Sequence, residues 1–230
     1  MSRTRIALLV PSSNTVMEND LHWALPKNRY TIHTDRMYLV ETTREAETAM
    51  IEQYARPAAK DVGTVKPDLL VFGCTSAGSL FGLDFDERFC RSLGELAGCP
   101  ALGTANAASQ ALTNAKARRI ALITPYNEDL TSSVGKALSG GGREIVAAYG
   151  MGITDNVELA TPTPDRIVRF AREKLSGATF DTLFVSCTNF RSYEAKAELE
   201  KTFGTRVLTS NSSVVEGIEA HFADGREVHA

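Results

Sequence analysis

The sequence predicts an α/β protein built from two similar Rossmann-like halves, each a parallel sheet with helices on both faces. Three observations carry that reading. Short apolar runs rich in Val, Ile and Leu alternate with longer segments of helical period, the chain repeats itself once, and the distinctive loops all follow apolar runs. A strand covered on both faces reads as a nearly continuous apolar run, which is how a buried parallel sheet announces itself.

Taken in order, the strands fall at Ile6–Val10, Leu69–Phe72, Ile120–Thr124 and Leu183–Val185, with another around Ile145. Helices are expected at about Glu45–Val62, Asp165–Leu175 and Tyr193–Phe203. Ser139-Gly140-Gly141-Gly142 follows a helix and precedes the strand near Ile145, so it reads as a helix end and turn rather than a phosphate loop.

The repeat is specific. Arg5-Ile6-Ala7-Leu8-Leu9-Val10-Pro11 returns as Arg119-Ile120-Ala121-Leu122-Ile123-Thr124-Pro125, 114 positions later. Asp68-Leu69-Leu70-Val71-Phe72-Gly73-Cys74-Thr75 returns as Asp181-Thr182-Leu183-Phe184-Val185-Ser186-Cys187-Thr188, 113 positions later. A weaker pair is Thr104-Ala105-Asn106-Ala107 with Thr209-Ser210-Asn211-Ser212. Two βαβ units resemble each other in any case, but Cys-Thr after a strand is not generic. The repeat implies a pseudo-two-fold arrangement with equivalent loops facing one another.

Composition narrows the function. The 230 residues are 43% hydrophobic and 23% charged, with a formal charge of -3 and acids and bases interspersed. No basic block exists to follow a phosphate backbone, which argues against nucleic acid. No segment approaches the roughly 18 uninterrupted apolar residues of a membrane span. Met1–Arg5 leads into only five apolar residues, Ile6 to Val10, before Pro11, too few for a signal peptide. The chain therefore reads as cytoplasmic, and its four cysteines as thiols rather than a disulfide framework.

In open α/β sheets ligands bind beyond the carboxyl ends of the strands. Pro11-Ser12-Ser13-Asn14, Gly73-Cys74-Thr75-Ser76, Pro125-Tyr126-Asn127 and Ser186-Cys187-Thr188-Asn189 all sit there. Cys74 and Cys187 occupy equivalent places, each before a short polar stretch and then a helix. Amide N–H groups at a helix start favour negative charge, so they can lower a thiol pKa or hold a carboxylate. Two thiols facing across a cleft can act on opposite sides of one carbon or double bond. Free cysteine is also a good small core residue, and Cys90 and Cys99, which lack repeat partners, are read that way.

Other chemistries find no support. His22, His33, His221 and His229 lie outside these loops, which argues against zinc and against Ser-His-Asp or Cys-His hydrolysis. Cys-x-x-Cys, Gly-x-Gly-x-x-Gly and Gly-x-x-x-x-Gly-Lys-Ser/Thr do not occur, so no cofactor is expected. Ser12, Ser13, Asn14, Thr75, Ser76, Tyr126, Thr188 and Asn189 are neutral donors. Singly they are turn and N-cap residues; together with backbone amides they suit a carboxylate or the enediolate formed from one. Asn156 is by itself an ordinary loop residue.

With these residues assembled, the chain resembles the aspartate/glutamate racemase superfamily and, within it, the maleate cis-trans isomerases. The resemblance spans nearly the whole chain. It rests on Val10-Pro11-Ser12-Ser13-Asn14-Thr15 with Glu18, Gly73-Cys74-Thr75-Ser76, Pro125-Tyr126, Asp155-Asn156 and Ser186-Cys187-Thr188-Asn189. It implies two domains around a cleft, cofactor-independent chemistry, Cys74 as nucleophile and Cys187 as proton donor. Asn14, Tyr126 and Asn156 match residues that hold the substrate carboxylates, with Ser12, Thr75, Ser76 and Thr188 as further candidates. A chain crossover is also implied: residues 1–103 with 210–230 form one domain, 104–209 the other, and the helix near Val214–Phe222 rejoins the first. The small carboxylic acid is the expected partner, and a homodimer the expected assembly. Three alternatives stay open: an amino-acid or hydantoin racemase, an arylmalonate-type decarboxylase sharing Thr75, Ser76, Tyr126 and Cys187, and a non-catalytic small-acid-binding protein. The decarboxylase branch has glycine where Cys74 stands.

Overall fold

The computed structural model describes residues 3–224. His229 lies outside them, as does the end of the 210–230 segment. The first lobe contains β1 (Thr4–Pro11), α1 (Met17–Ala24), β2 (Tyr30–Met37), α2 (Arg44–Ala49), α3 (Ala55–Gly63), β3 (Leu69–Phe72), α4 (Thr75–Ser79), α5 (Leu83–Ala97), β4 (Ala101–Gly103) and α6 (Thr104–Asn114). The second contains β5 (Arg119–Thr124), α7 (Glu128–Leu138), β6 (Glu144–Gly150), α8 (Pro164–Lys174), β7 (Thr182–Val185), α9 (Ser192–Phe203), β8 (Arg206–Thr209) and α10 (Ser210–Asp224). Both sheets are parallel and have the same order, β2-β1-β3-β4 and β6-β5-β7-β8.

The repeat extends to the strand starts. The Asp68 carboxylate accepts from the Arg5 amide at 2.7 Å, and that of Asp181 accepts from the Arg119 amide at 2.8 Å. Each ties the first strand of its lobe to the third. The strands place alternate side chains on opposite faces. On β1, Ala7 and Leu9 pack with α3 and α5, while Ile6, Leu8 and Val10 pack with α1 and α10. Burying each large aliphatic side chain contributes roughly 1.5–3 kcal/mol.

The last helix of each lobe reaches the other. Ala108, Ala111 and Leu112 of α6 join the core of the second lobe. Val214, Val215 and Ile218 of α10 pack against Ile6, Leu8 and Val71 of the first. The two helices also pack on one another.

The expected helix over 45–62 is divided. α2 is followed by a π-helical turn at Met50–Tyr54 and then by α3. Pro57 is the physical reason: it has no N–H to offer Gln53 and its ring crowds that carbonyl, so the chain widens by one turn ahead of it. The glycine run behaves as expected: α7 ends at Leu138 and Gly140, Gly141 and Gly142 all take positive φ. Among the described residues no helix is long and apolar enough to cross a membrane.

Candidate active site

The order of each sheet reverses between its two central strands, β1 and β3 or β5 and β7, and the loops leaving those strands meet between the lobes. Gly73 follows β3 where a Cβ would lie 2.7 Å from Met17 Sδ and 2.8 Å from the Leu9 carbonyl, so only glycine lets Cys74 emerge there. Cys74 caps the five-residue α4. Cys187 follows Ser186 with φ of 106°, an uncommon conformation for a residue with a side chain and the kind of strain that collects at functional sites.

Hydrogen bonds lace the two loops together. Thr188 donates to the Gly73 carbonyl at 3.0 Å and accepts from Asn14 Nδ2 at 3.1 Å. Thr75 donates to Ser210 at 2.8 Å, and Ser210 accepts from the Cys187 amide at 3.0 Å. Asn14 Oδ1 accepts from the Val16 and Met17 amides and so starts α1. Asn156 Nδ2 donates to Ser13 at 2.7 Å, and its Oδ1 accepts from Thr42 at 3.0 Å. Asn189 donates to the Asn156 carbonyl at 2.6 Å and accepts from the Thr15 amide at 2.8 Å. Glu18 pairs with Arg36, whose guanidinium in turn holds the Ser12 and Asn14 carbonyls.

The structure thus gathers Cys74, Thr75, Ser76, Asn14, Tyr126, Asn156, Cys187 and Thr188 into one buried cluster. Ser12 stands apart in role: its hydroxyl accepts from the Leu39 amide and donates to the Leu39 carbonyl, so it fixes the loop. Cys90 is buried beside Asp86, and Cys99 is partly buried; both are free thiols.

Burial, rather than helix dipoles, governs the thiols, which differs from the expectation of lowered pKa values. Burial pushes Cys74 well up, and the carboxylate of Glu47 adds to this, against the pull of the Ala77 amide and the Ser76 hydroxyl. Burial likewise pushes Cys187 up to about 12, while the Tyr126 hydroxyl and the Asn189 amide donate to it and pull down. No helix starts directly behind Cys187, because α9 begins only at Ser192. Tyr126 is itself pushed well up by burial and by both thiols, so at neutral pH it is a hydrogen-bond donor.

One member of the cluster, Glu47, was not singled out from the sequence. It is completely buried on α2, and Oε1 accepts from the Ser76 hydroxyl. Its signal lay in the helical phase: Glu47 falls on the same stripe as Met50, Ile51, Ala55, Ala58, Ala59 and Val62, and an acid on an apolar stripe is informative.

Two parallel-sheet lobes with equivalent cysteines sealed between them define the class: a duplicated α/β protein with a paired-thiol site at the lobe interface. The family model described as arylmalonate decarboxylase matches residues 6–225, and the chain belongs to that family. Among its relatives, the maleate isomerase of Geobacillus stearothermophilus is 28% identical over 92% of this chain and 88% of its own length. The maleate isomerase of Pseudomonas putida is 29% identical over 90% and 86%. The fold matches the crystal structure of a Pseudomonas putida maleate isomerase, at 20% identity, with a TM-score of 0.90 over 96% of this chain and 94% of that one. It also matches a Nocardia farcinica maleate cis-trans isomerase, a cysteine-to-serine mutant with a covalently bound succinylcysteine intermediate. That match has a TM-score of 0.86 at 24% identity over 94% and 91%.

Proposed function

We propose that this protein is a cofactor-independent cis-trans isomerase that converts maleate, or a related cis-dicarboxylate, to fumarate through covalent addition of Cys74. The observation that carries this is the buried pair of thiols, Cys74 and Cys187, presented from equivalent loops and surrounded by neutral donors. The maleate isomerases among its relatives support it, as does the succinylcysteine seen in the Nocardia protein.

The Cys74 thiolate adds to one alkene carbon, and the π electrons move into the adjacent carboxylate as an enediolate. Rotation now occurs about a single bond, which replaces a prohibitive double-bond rotation by easier steps. Cys187 donates a proton to the other former alkene carbon and takes one back. The C–S bond then breaks and the double bond re-forms as trans. Thr75, Ser76 and Tyr126 stabilise the enediolate by hydrogen bonding, and Asn14, Asn156 and Thr188 hold the carboxylates by exchanging their present partners for substrate oxygens. Ser12 contributes by holding the loop that carries Asn14.

The same reading makes the protein a cytoplasmic homodimer acting on free dicarboxylate. Its four unpaired cysteines suit a reducing compartment.

Proton NMR with maleate tests the proposal. Fumarate should appear with the intact protein, and Cys74→Ala should lower turnover by more than about 10³-fold, the scale of losing an essential reactive group. An active Cys74→Ala variant refutes the scheme. The family description favours a second reading, arylmalonate decarboxylation; carbon dioxide released from an arylmalonate, with maleate untouched, would establish it. Deuterium entering an amino acid in D₂O would instead identify a racemase.

A further inference from the structure

Three carboxylates are buried among the described residues: Asp20, Glu47 and Asp86. Asp86 accepts from the amide and side chain of Asn106 at 3.1 and 2.7 Å, and Asp20 accepts from Asn211 at 2.7 Å. These two tie α6 and α10 to their neighbours. Glu47 is different. Its Oε1 accepts from Ser76, its Oε2 is buried with no partner, and Ser76 Oγ lies 3.8 Å from Cys74 Sγ. A thiol, a hydroxyl and a carboxylate thus touch in succession, leading away from the nucleophile.

We propose that Glu47 is the proton acceptor for Cys74, reached through the Ser76 hydroxyl, so that the thiolate forms without changing the net charge of the buried site. The inference rests on the reading of Cys74 as nucleophile. The Cys74 S–H bond breaks and its proton passes to Ser76 Oγ. The proton of Ser76 passes to Glu47 Oε1, leaving a neutral carboxyl and a thiolate. Elimination of fumarate reverses both transfers. Releasing the thiol proton to bulk water would instead create a new, unpaired charge in a buried interior, which is strongly disfavoured. Once Glu47 is ionised, as it is above about pH 8, transfer to it moves a charge already there.

The titratable and charged groups facing Glu47 are Arg44 on its own helix, Cys74 at the start of α4, Tyr126 after β5 and Cys187 after β7. Burial raises the Glu47 carboxyl to about 8, against the pull of Ser76 and Arg44. An acceptor in that range can change its protonation state close to neutral pH, and Glu47 and Cys74 titrate as a pair. Glu47 acts through Ser76 and is a positioning residue.

The test is the rate at which iodoacetamide alkylates Cys74, read by mass spectrometry of its peptide between about pH 6 and pH 10. In the native chain the rate should level off near pH 8, where the carboxyl titrates. Glu47→Gln and Ser76→Ala should each lose that inflection and react at least about tenfold more slowly there, while Glu47→Asp keeps it. An unchanged profile in Glu47→Gln overturns the proposal, as does a native profile with no inflection or no alkylation. If Glu47→Gln does not fold, Ser76→Ala, which removes one hydroxyl, decides alone. Normal alkylation without fumarate would overturn the isomerase reading instead. Fumarate formation with identical pH profiles in native and Glu47→Gln chains would overturn only the role of Glu47.

Discussion

At Glu47 the folded chain holds a proton that the unfolded chain releases. Its carboxyl stands at about 8 in the fold against an ordinary value of 4.5. Below 4.5 both states are protonated and the group contributes nothing. Between 4.5 and 8 the unfolded state ionises first, so stability falls as pH rises, levelling off above 8. Glutamine cannot ionise, so Glu47→Gln should melt at a higher temperature than the native chain at pH 8, while the two converge near about pH 4. A less stable variant at pH 8 would contradict this. On the roles proposed for Cys74 and Glu47, retaining a destabilising acid here exchanges stability for activity. Cys74 and Cys187 were legible in the sequence because the repeat marks them twice. Glu47 was not, because attention to loops misses a group whose only mark is its phase on a helix. Sequence marks Ser12 as a loop donor; that its hydroxyl bonds the Leu39 backbone depends on a segment distant in sequence.

Local caps separate stability from function at the level of elements. Thr43 caps α2 by accepting from the Ala46 amide at 3.3 Å, and Thr163 caps α8 by accepting from the Arg166 amide at 3.3 Å. Replacing either by alanine should cost about 1 kcal/mol, measurable by urea denaturation. Only Thr43→Ala should also slow turnover, because α2 carries Glu47; equal activity losses in both variants would refute this. The strands recognised from the sequence include all four central ones, β1, β3, β5 and β7, whose residues are almost wholly buried. β2, β4 and β8 went unseen. They are edge strands, and β2, with Thr31, His33, Thr34, Asp35 and Arg36, has no continuous apolar run to show. The interruption between α2 and α3 was hidden because an apolar stripe continues across Pro57 even where the hydrogen-bond ladder does not.

The exchange of helices between lobes makes the molecule one cooperative unit. Removing Ile218 or Val214 would open a cavity in the first lobe, although both lie more than a hundred residues beyond its strands. Unfolding followed by far-UV and near-UV circular dichroism should therefore give a single coincident transition. Two separated transitions would show that the lobes melt independently. The pseudo-two-fold was readable from the repeat alone, whereas the crossover came from family resemblance, since no local pattern says which sheet a helix will cover.

That exchange also sets a timetable for synthesis. Once Asn114 has been made, every strand of the first sheet exists, yet the face formed by Ile6, Leu8, Val10 and Val71 still awaits Val214, Val215 and Ile218. At about 5–20 residues per second, the intervening hundred or so residues take roughly 5–20 s to add. Throughout that interval α1 covers part of this apolar sheet face, and the part that α10 will cover lacks its partner. Chaperone engagement at this stage, and aggregation when translation stalls before Ser210, are the expected biosynthetic costs of the arrangement.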